Sequence, residues 1–129
     1  MPLVKIDVLE GRQDSELQAL LDAAHEAVVK TFHVPESDRY QIVYTHKLGE
    51  MVLRDTGLGF SRTNNAVVIT VISKSRSTQM KSDLYAALAD NLAERCALDS
   101  NDLVVAVIEN GEADWSFGRG KAQFLTGEL

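Results

Sequence analysis

One pattern constrains this chain more than any other: a short apolar strand, a long amphipathic helix and a second strand, written twice. Val4, Ile6 and Val8 alternate with Lys5 and Asp7, the period of a strand with one buried face. After Gly11, the residues Leu17, Leu20, Leu21, Ala24, Val28 and Phe32 recur at three- and four-residue steps, which predicts a helix that Pro35 closes. Tyr40 to Thr45, rich in aromatic and β-branched residues, reads as the next strand. The order then returns: Ala66 to Ile72 as an apolar strand, a helix from about Ser77 to Cys96 through Leu84, Leu88 and Leu92, and a strand from Leu103 to Ile108. An offset of 64 lays Ile6 on Thr70, Asp14 on Thr78, and Ser37-Asp38 on Asn101-Asp102. Matched element lengths, rather than shared residues, carry the duplication.

The expected fold class is therefore α/β (α+β): duplicated β-α-β units in a four-stranded mixed sheet with both helices on one face. Repeat one covers about 2–46, repeat two about 66–109, and a tail runs over 110–129, all within a single domain spanning 1–129. The glycine- and asparagine-bearing stretch 47–65 reads as a loop, with a short hairpin arm through Met51, Val52 and Leu53. Strands apolar at nearly every position want cover on both sides, and two helices supply only one. A second copy of the chain is the expected cover, each buried Val or Ile contributing roughly 1.5 to 3 kcal/mol. The competing arrangement folds the 47–65 loop and the tail over the bare face.

Composition narrows the function. No apolar run approaches the roughly 20 residues of a bilayer-spanning helix, and the first residues lack the basic-then-apolar pattern of an export signal. No membrane is expected, and a cytoplasmic location is. With 13 basic against 19 acidic residues the net charge is −6, unfavourable for phosphate-backbone binding, so no nucleic acid is expected. The lone Cys96 forms no intrachain disulfide and reads as a small buried hydrophobe. His25, His33 and His46 lack ligand spacing, so no metal and no cofactor are expected. Gly57-Leu58-Gly59 does not continue into a dinucleotide fingerprint, because Arg62 stands where the third glycine belongs.

Three features carry chemistry. Pro2 follows Met1, and aminopeptidase removal of Met1 would expose a secondary amine able to act as acid, base or carbonyl nucleophile. In an arbitrary protein such a proline more often just starts a strand. Ser73-Lys74-Ser75-Arg76 lies between a strand and a helix N-terminus, where α/β folds place anions. Arg76 can hold a carboxylate through two parallel hydrogen bonds, so a small carboxylate substrate is expected, with a solvated turn as the bland alternative. The tail concentrates Trp115, Phe117 and Phe124, which either wall a pocket or plug a subunit seam.

Together these features resemble the tautomerase superfamily, and within it the malonate semialdehyde decarboxylases. The resemblance runs along nearly the whole chain and is most specific at Asp55-Thr56-Gly57-Leu58-Gly59, Thr70-Val71-Ile72-Ser73 and Ala113-Asp114-Trp115-Ser116-Phe117-Gly118-Arg119-Gly120. It implies a homotrimer with a central barrel of sheets. It also implies Pro2, Asp38 and Arg76 as catalytic residues, and Lys74, Arg76, Trp115, Phe117, Phe124 and Leu129 as the substrate-binding set. Lys74 stands where that family carries an arginine, which keeps the charge and gives up the planar fork. The implied activity is metal-free loss of carbon dioxide from a small β-oxo acid, malonate semialdehyde giving acetaldehyde. The alternative is a keto–enol tautomerase or hydratase acting on small 2-oxo or unsaturated carboxylic acids with the same proline. A third reading, a non-catalytic oligomeric binding module, would keep Met1.

Overall fold

A computed structural model describes residues Met1–Leu129. The elements are β1 (Leu3–Leu9), α1 (Asp14–Phe32), β2 (Tyr40–His46), β3 (Val67–Lys74), α2 (Thr78–Cys96), β4 (Leu103–Asn110) and a closing turn α3 (Gln123–Thr126). Single 3-10 turns, Ser100–Asp102 and Glu112–Asp114, flank β4.

The repeat is visible in the helices, each 19 residues long and 64 positions apart. Glu16 Oε1 accepts the Gln13 N–H at 3.0 Å to start α1, and Ser77 Oγ accepts the Met80 N–H at 3.1 Å to start α2. Each helix closes on a non-glycine residue in the left-handed region, His33 at φ 54° and Ala97 at φ 52°. Pro35, two residues beyond His33, cannot continue the helix.

The sheet runs β2-β1-β3-β4. The pairs β1/β2 and β3/β4 are parallel, and the two units join through the antiparallel pair β1/β3. Val4, Ile6 and Val8 of β1 and Val67, Ile69 and Val71 of β3 face the helices. They meet Leu20, Val28 and Phe32 of α1 and Leu84, Leu88 and Leu92 of α2. Fully buried Ala23, Ala24 and Ala27 let the helices approach closely, and Asn91 Nδ2 donates to the Ala23 carbonyl at 3.2 Å across that seam.

The opposite face is open. The register sets Tyr40, Leu3, Ile72 and Ile108 in one row across it, with Ile42 and Tyr44 in the rows beyond. Tyr44 is 44% exposed and Ile108 is 52% exposed, and no residue of β4 is buried. The tail reaches only one end of this face, where the Phe117 ring lies 5.6 Å from that of Tyr40. The 47–65 stretch does not cover the rest, since its Leu48, Val52, Leu58 and Phe60 all face outward.

The expected hairpin arm through Met51, Val52 and Leu53 is absent. Turns occupy the chain instead. Asp55 accepts the N–H groups of Leu58 at 3.1 Å and Gly59 at 2.7 Å, with Gly57 and Gly59 at positive φ, so the Asp55–Gly59 motif is a turn and pairs with no strand. The stretch is pinned at its far end where buried Asp102 accepts both the N–H and the hydroxyl of Thr63. No helix is long and apolar enough to cross a membrane.

Candidate active site

The amino-terminal end of β1 lies between the start of β2 and the end of β3, because β1 is flanked by those strands. Residues reaching past the last paired positions therefore converge. The Met1 ammonium group donates to Asp38 Oδ2, whose side chain is only 12% exposed. Burial pushes the Met1 amine below its ordinary value. Asp38 opposes that shift, while the positive charges of Arg76 and Lys74 add to it. Both cations of β3 and its following turn thus act electrostatically on the nitrogen that Asp38 holds. Pro2 is buried directly behind, its nitrogen joined to Met1.

Arg76 is fixed from three sides. Its Nε donates to Ser73 Oγ at 3.1 Å, one terminal nitrogen donates to the Phe32 carbonyl at 3.1 Å, and its guanidinium carbon lies 4.9 Å from the Phe32 ring centre. Half-burial lowers its proton affinity somewhat, and the group stays charged. The second terminal nitrogen and the remaining hydrogen of the first are left to grip a carboxylate end-on. Lys74 is held more loosely: its Nζ lies 4.1 Å from the Phe124 ring centre and 3.5 Å from exposed Glu112.

The backbone entering α2 is held by the last strand. Glu109 Oε2 accepts the Arg76 N–H at 3.0 Å while its Oε1 pairs with Lys81 at 2.9 Å. That carboxylate ties the backbone just ahead of the Ser77 cap of α2 to the end of β4.

The aromatic residues of the tail form one stack. Trp115 lies parallel to Phe117 at 5.3 Å, Phe124 meets Phe117 edge-on at 5.6 Å, and Trp115 Nε1 donates to Asn110 Oδ1 at 2.8 Å. Gln123 ties the ends of this loop, accepting the Phe117 N–H and donating to the Gly118 carbonyl, each at 2.9 Å.

A cleft of about 440 Å³ opens beside the Met1–Asp38 pair, lined by Met1, Asp38, Phe117 and Leu129 together with Pro35, Ser37, Tyr40, Gln123 and Glu128. Phe124 and Trp115 pack on Phe117 and Lys74 packs on Phe124, so Pro2, Lys74, Arg76, Trp115 and Phe124 stand outside the lining itself. Among the lining residues, sequence reasoning missed Met1, Pro35, Ser37, Tyr40, Gln123 and Glu128. The signal for Tyr40 was present: it stands two residues after Asp38 at a strand edge, and alternate residues share a face.

The other singled-out groups lie elsewhere. His25 Nε2 contacts the Glu36 carbonyl at 2.6 Å, His46 Nε2 contacts Asp7 at 2.7 Å, and His33 ends α1. Burial pushes the Cys96 thiol up, the reverse of an activated thiolate.

Two family models, each described as tautomerase enzyme, match residues 38–118 and 2–61. The probable tautomerase YrdN of Bacillus subtilis (strain 168) is 54% identical over 129 residues, the full length of both chains. The crystal structures of wild-type, mutant and inactivated malonate semialdehyde decarboxylase, described as a basis for decarboxylase and hydratase activities, superpose with a TM-score of 0.96 at 51% identity, covering 98% of each chain. A second malonate semialdehyde decarboxylase, FG41, inhibited by 3-bromopropiolate, gives a TM-score of 0.94 at 37% identity, over 98% of this chain and 97% of that one.

Proposed function

The chain belongs to the tautomerase family, and from that premise we propose that, once Met1 is removed, it decarboxylates a small β-oxo acid, malonate semialdehyde giving acetaldehyde and carbon dioxide. One observation carries the reading: the nitrogen at the head of β1 is held by Asp38 and feels both Lys74 and Arg76. With Met1 gone, the Pro2 nitrogen becomes the terminal amine of that neighbourhood. Arg76, assisted by Lys74, holds the substrate carboxylate over the end of β3, which turns the aldehyde toward Pro2 and Asp38. As the bond between the carboxylate carbon and Cα breaks, its electron pair flows into the carbonyl, and the prolyl N–H⁺ stabilises the oxygen that takes up the charge. Carbon dioxide leaves neutral beside the aromatic stack of Trp115, Phe117 and Phe124, and protonation at Cα gives acetaldehyde.

A second reading keeps the same proline and lets neutral Pro2 act as a base for keto–enol tautomerisation or hydration of a 2-oxo or unsaturated acid, supported by the match to tautomerase family models. Proton NMR of the processed chain with malonate semialdehyde separates the two. Acetaldehyde above the background of buffer is the expected product; none, with enol turnover instead, transfers the assignment to the tautomerase.

We also propose that the open sheet face is covered by further copies of the chain, as a homotrimer. Ile42, Tyr44 and Ile108 are too large and too exposed to be left in water without loss of solubility. Sedimentation should give three times the 14.2 kDa chain mass, and Ile108→Glu should release single chains. A wild-type chain that sediments as a monomer would contradict the arrangement.

A further inference from the structure

Tyr40 takes no part in the steps above, yet its placement is tightly constrained. It opens β2 two residues after Asp38, and extended backbone sends residues i and i+2 to one side. The residues between and after them go the other way and bind α1. Arg39 Nε donates to Gln41 Oε1, an Arg39 terminal nitrogen donates to Asp22 Oδ1, and Gln41 Nε2 donates to the Leu21 carbonyl, all at 2.7 Å. This clamp holds the segment from behind, and Asp38 and Tyr40 both face the cleft. The Tyr40 ring rests on Phe117 at 5.6 Å, while the hydrogen bonds of this segment all pass through Asp38, Arg39 and Gln41 and leave the phenol hydroxyl without a partner in the chain.

Tyr40 is 42% exposed, so its hydroxyl is open to water or to a molecule in the cleft. The strand order places Tyr40 on the β2 flank of the terminal amine, opposite the β3 flank where Lys74 and Arg76 gather the carboxylate. A three-carbon oxo acid anchored at Arg76 therefore points its carbonyl toward Pro2 and Tyr40. We propose that Tyr40 is a catalytic residue, its hydroxyl donating a hydrogen bond to the substrate carbonyl oxygen as that oxygen becomes an enolate. The inference rests on the decarboxylase or tautomerase reading of the cleft, since both develop charge on that oxygen. The phenol keeps its proton: the breaking C–C bond supplies the electron pair, and the two donors, Pro2 N–H⁺ and Tyr40 O–H, share the charge.

The test is Tyr40→Phe in the processed chain, which preserves the ring against Phe117 and removes only the oxygen. Loss of one such donor lowers kcat by about 10²-fold, with KM held within roughly twofold because Arg76 still binds the carboxylate. An unchanged kcat overturns the proposal and leaves the decarboxylase reading intact. If the wild-type chain yields no acetaldehyde but interconverts an enol and its ketone, Tyr40→Phe is read on that reaction, and an unchanged rate there overturns the proposal. Wild-type protein inert toward both substrates removes the reading and the proposal together. Should Tyr40→Phe misfold, a series of fluorinated tyrosines at position 40 replaces it: kcat must change progressively with fluorination as the donor strength of the hydroxyl changes, and a kcat indifferent to fluorination counts against the hydroxyl.

Discussion

Chains that retain Met1 should release acetaldehyde from malonate semialdehyde at least about 10³-fold more slowly than chains beginning at Pro2, the scale of a lost general acid or nucleophile. The physical reason is the state of one nitrogen. Joined to Met1, the Pro2 nitrogen is a tertiary amide, with no proton to donate and no basic lone pair. The Met1 amine does not replace it, because it is tied to Asp38 and lies one residue farther out, and Met1 itself lines the cleft that substrate must enter. Intact mass gives the processed fraction of each preparation, and proton NMR gives its rate. Activity should track that fraction linearly, and Pro2→Ala should fall toward background, because a primary alanine amine lacks the fixed ring and the greater basicity of proline. Equal rates from Met1-bearing and trimmed chains would assign the chemistry to some other group.

The parts of this site differed in how readily the sequence revealed them. The two β-α-β units were legible because strand and helix periods come from local side-chain alternation, and the second helix starts and stops within a residue of expectation. Arg76 was legible from its place between a strand and a helix, whereas Asp38 was named only through family resemblance: the two are far apart in the chain and act on one amine because β1 runs between β2 and β3. The hairpin arm was misread because Met51-Val52-Leu53 satisfies strand propensity locally, while the Asp55 turn and the positive φ of Gly57 and Gly59 turn the backbone away from pairing. A contact just ahead of α2 was hidden for a similar reason. Glu109, a residue of the final strand, reaches it only once β4 lies beside β3. Long-range neighbours of this kind leave no mark in a one-dimensional period.

Arg76→Ala should lower kcat/KM by about 10²- to 10³-fold and Lys74→Ala by about tenfold, because a fixed planar fork orients a carboxylate and a flexible point charge mainly attracts it. Arg76 is pre-organised by Ser73, the Phe32 carbonyl and the Phe32 ring, whereas Lys74 has a long contact to an exposed glutamate and the face of Phe124. Removing Arg76 also leaves the fully buried Ser73 hydroxyl without its donor, so a lowered melting temperature accompanies the change and is measured separately from the rate. The pH profile then identifies the mechanism. Arg76 disfavours the charged form of the Met1 amine, and a prolyl amine exposed in the same neighbourhood is expected to gain proton affinity when that positive charge is lost. If the working form is the prolyl cation, the basic limb of kcat/KM moves to higher pH in Arg76→Ala, and the variant stays active farther into the alkaline range. If the working form is the neutral amine, the acidic limb moves up instead, and activity at neutral pH falls further than lost binding explains. Equal losses in the lysine and arginine variants, with neither limb displaced, would show that the two cations do not act on this nitrogen and that the carboxylate is held elsewhere.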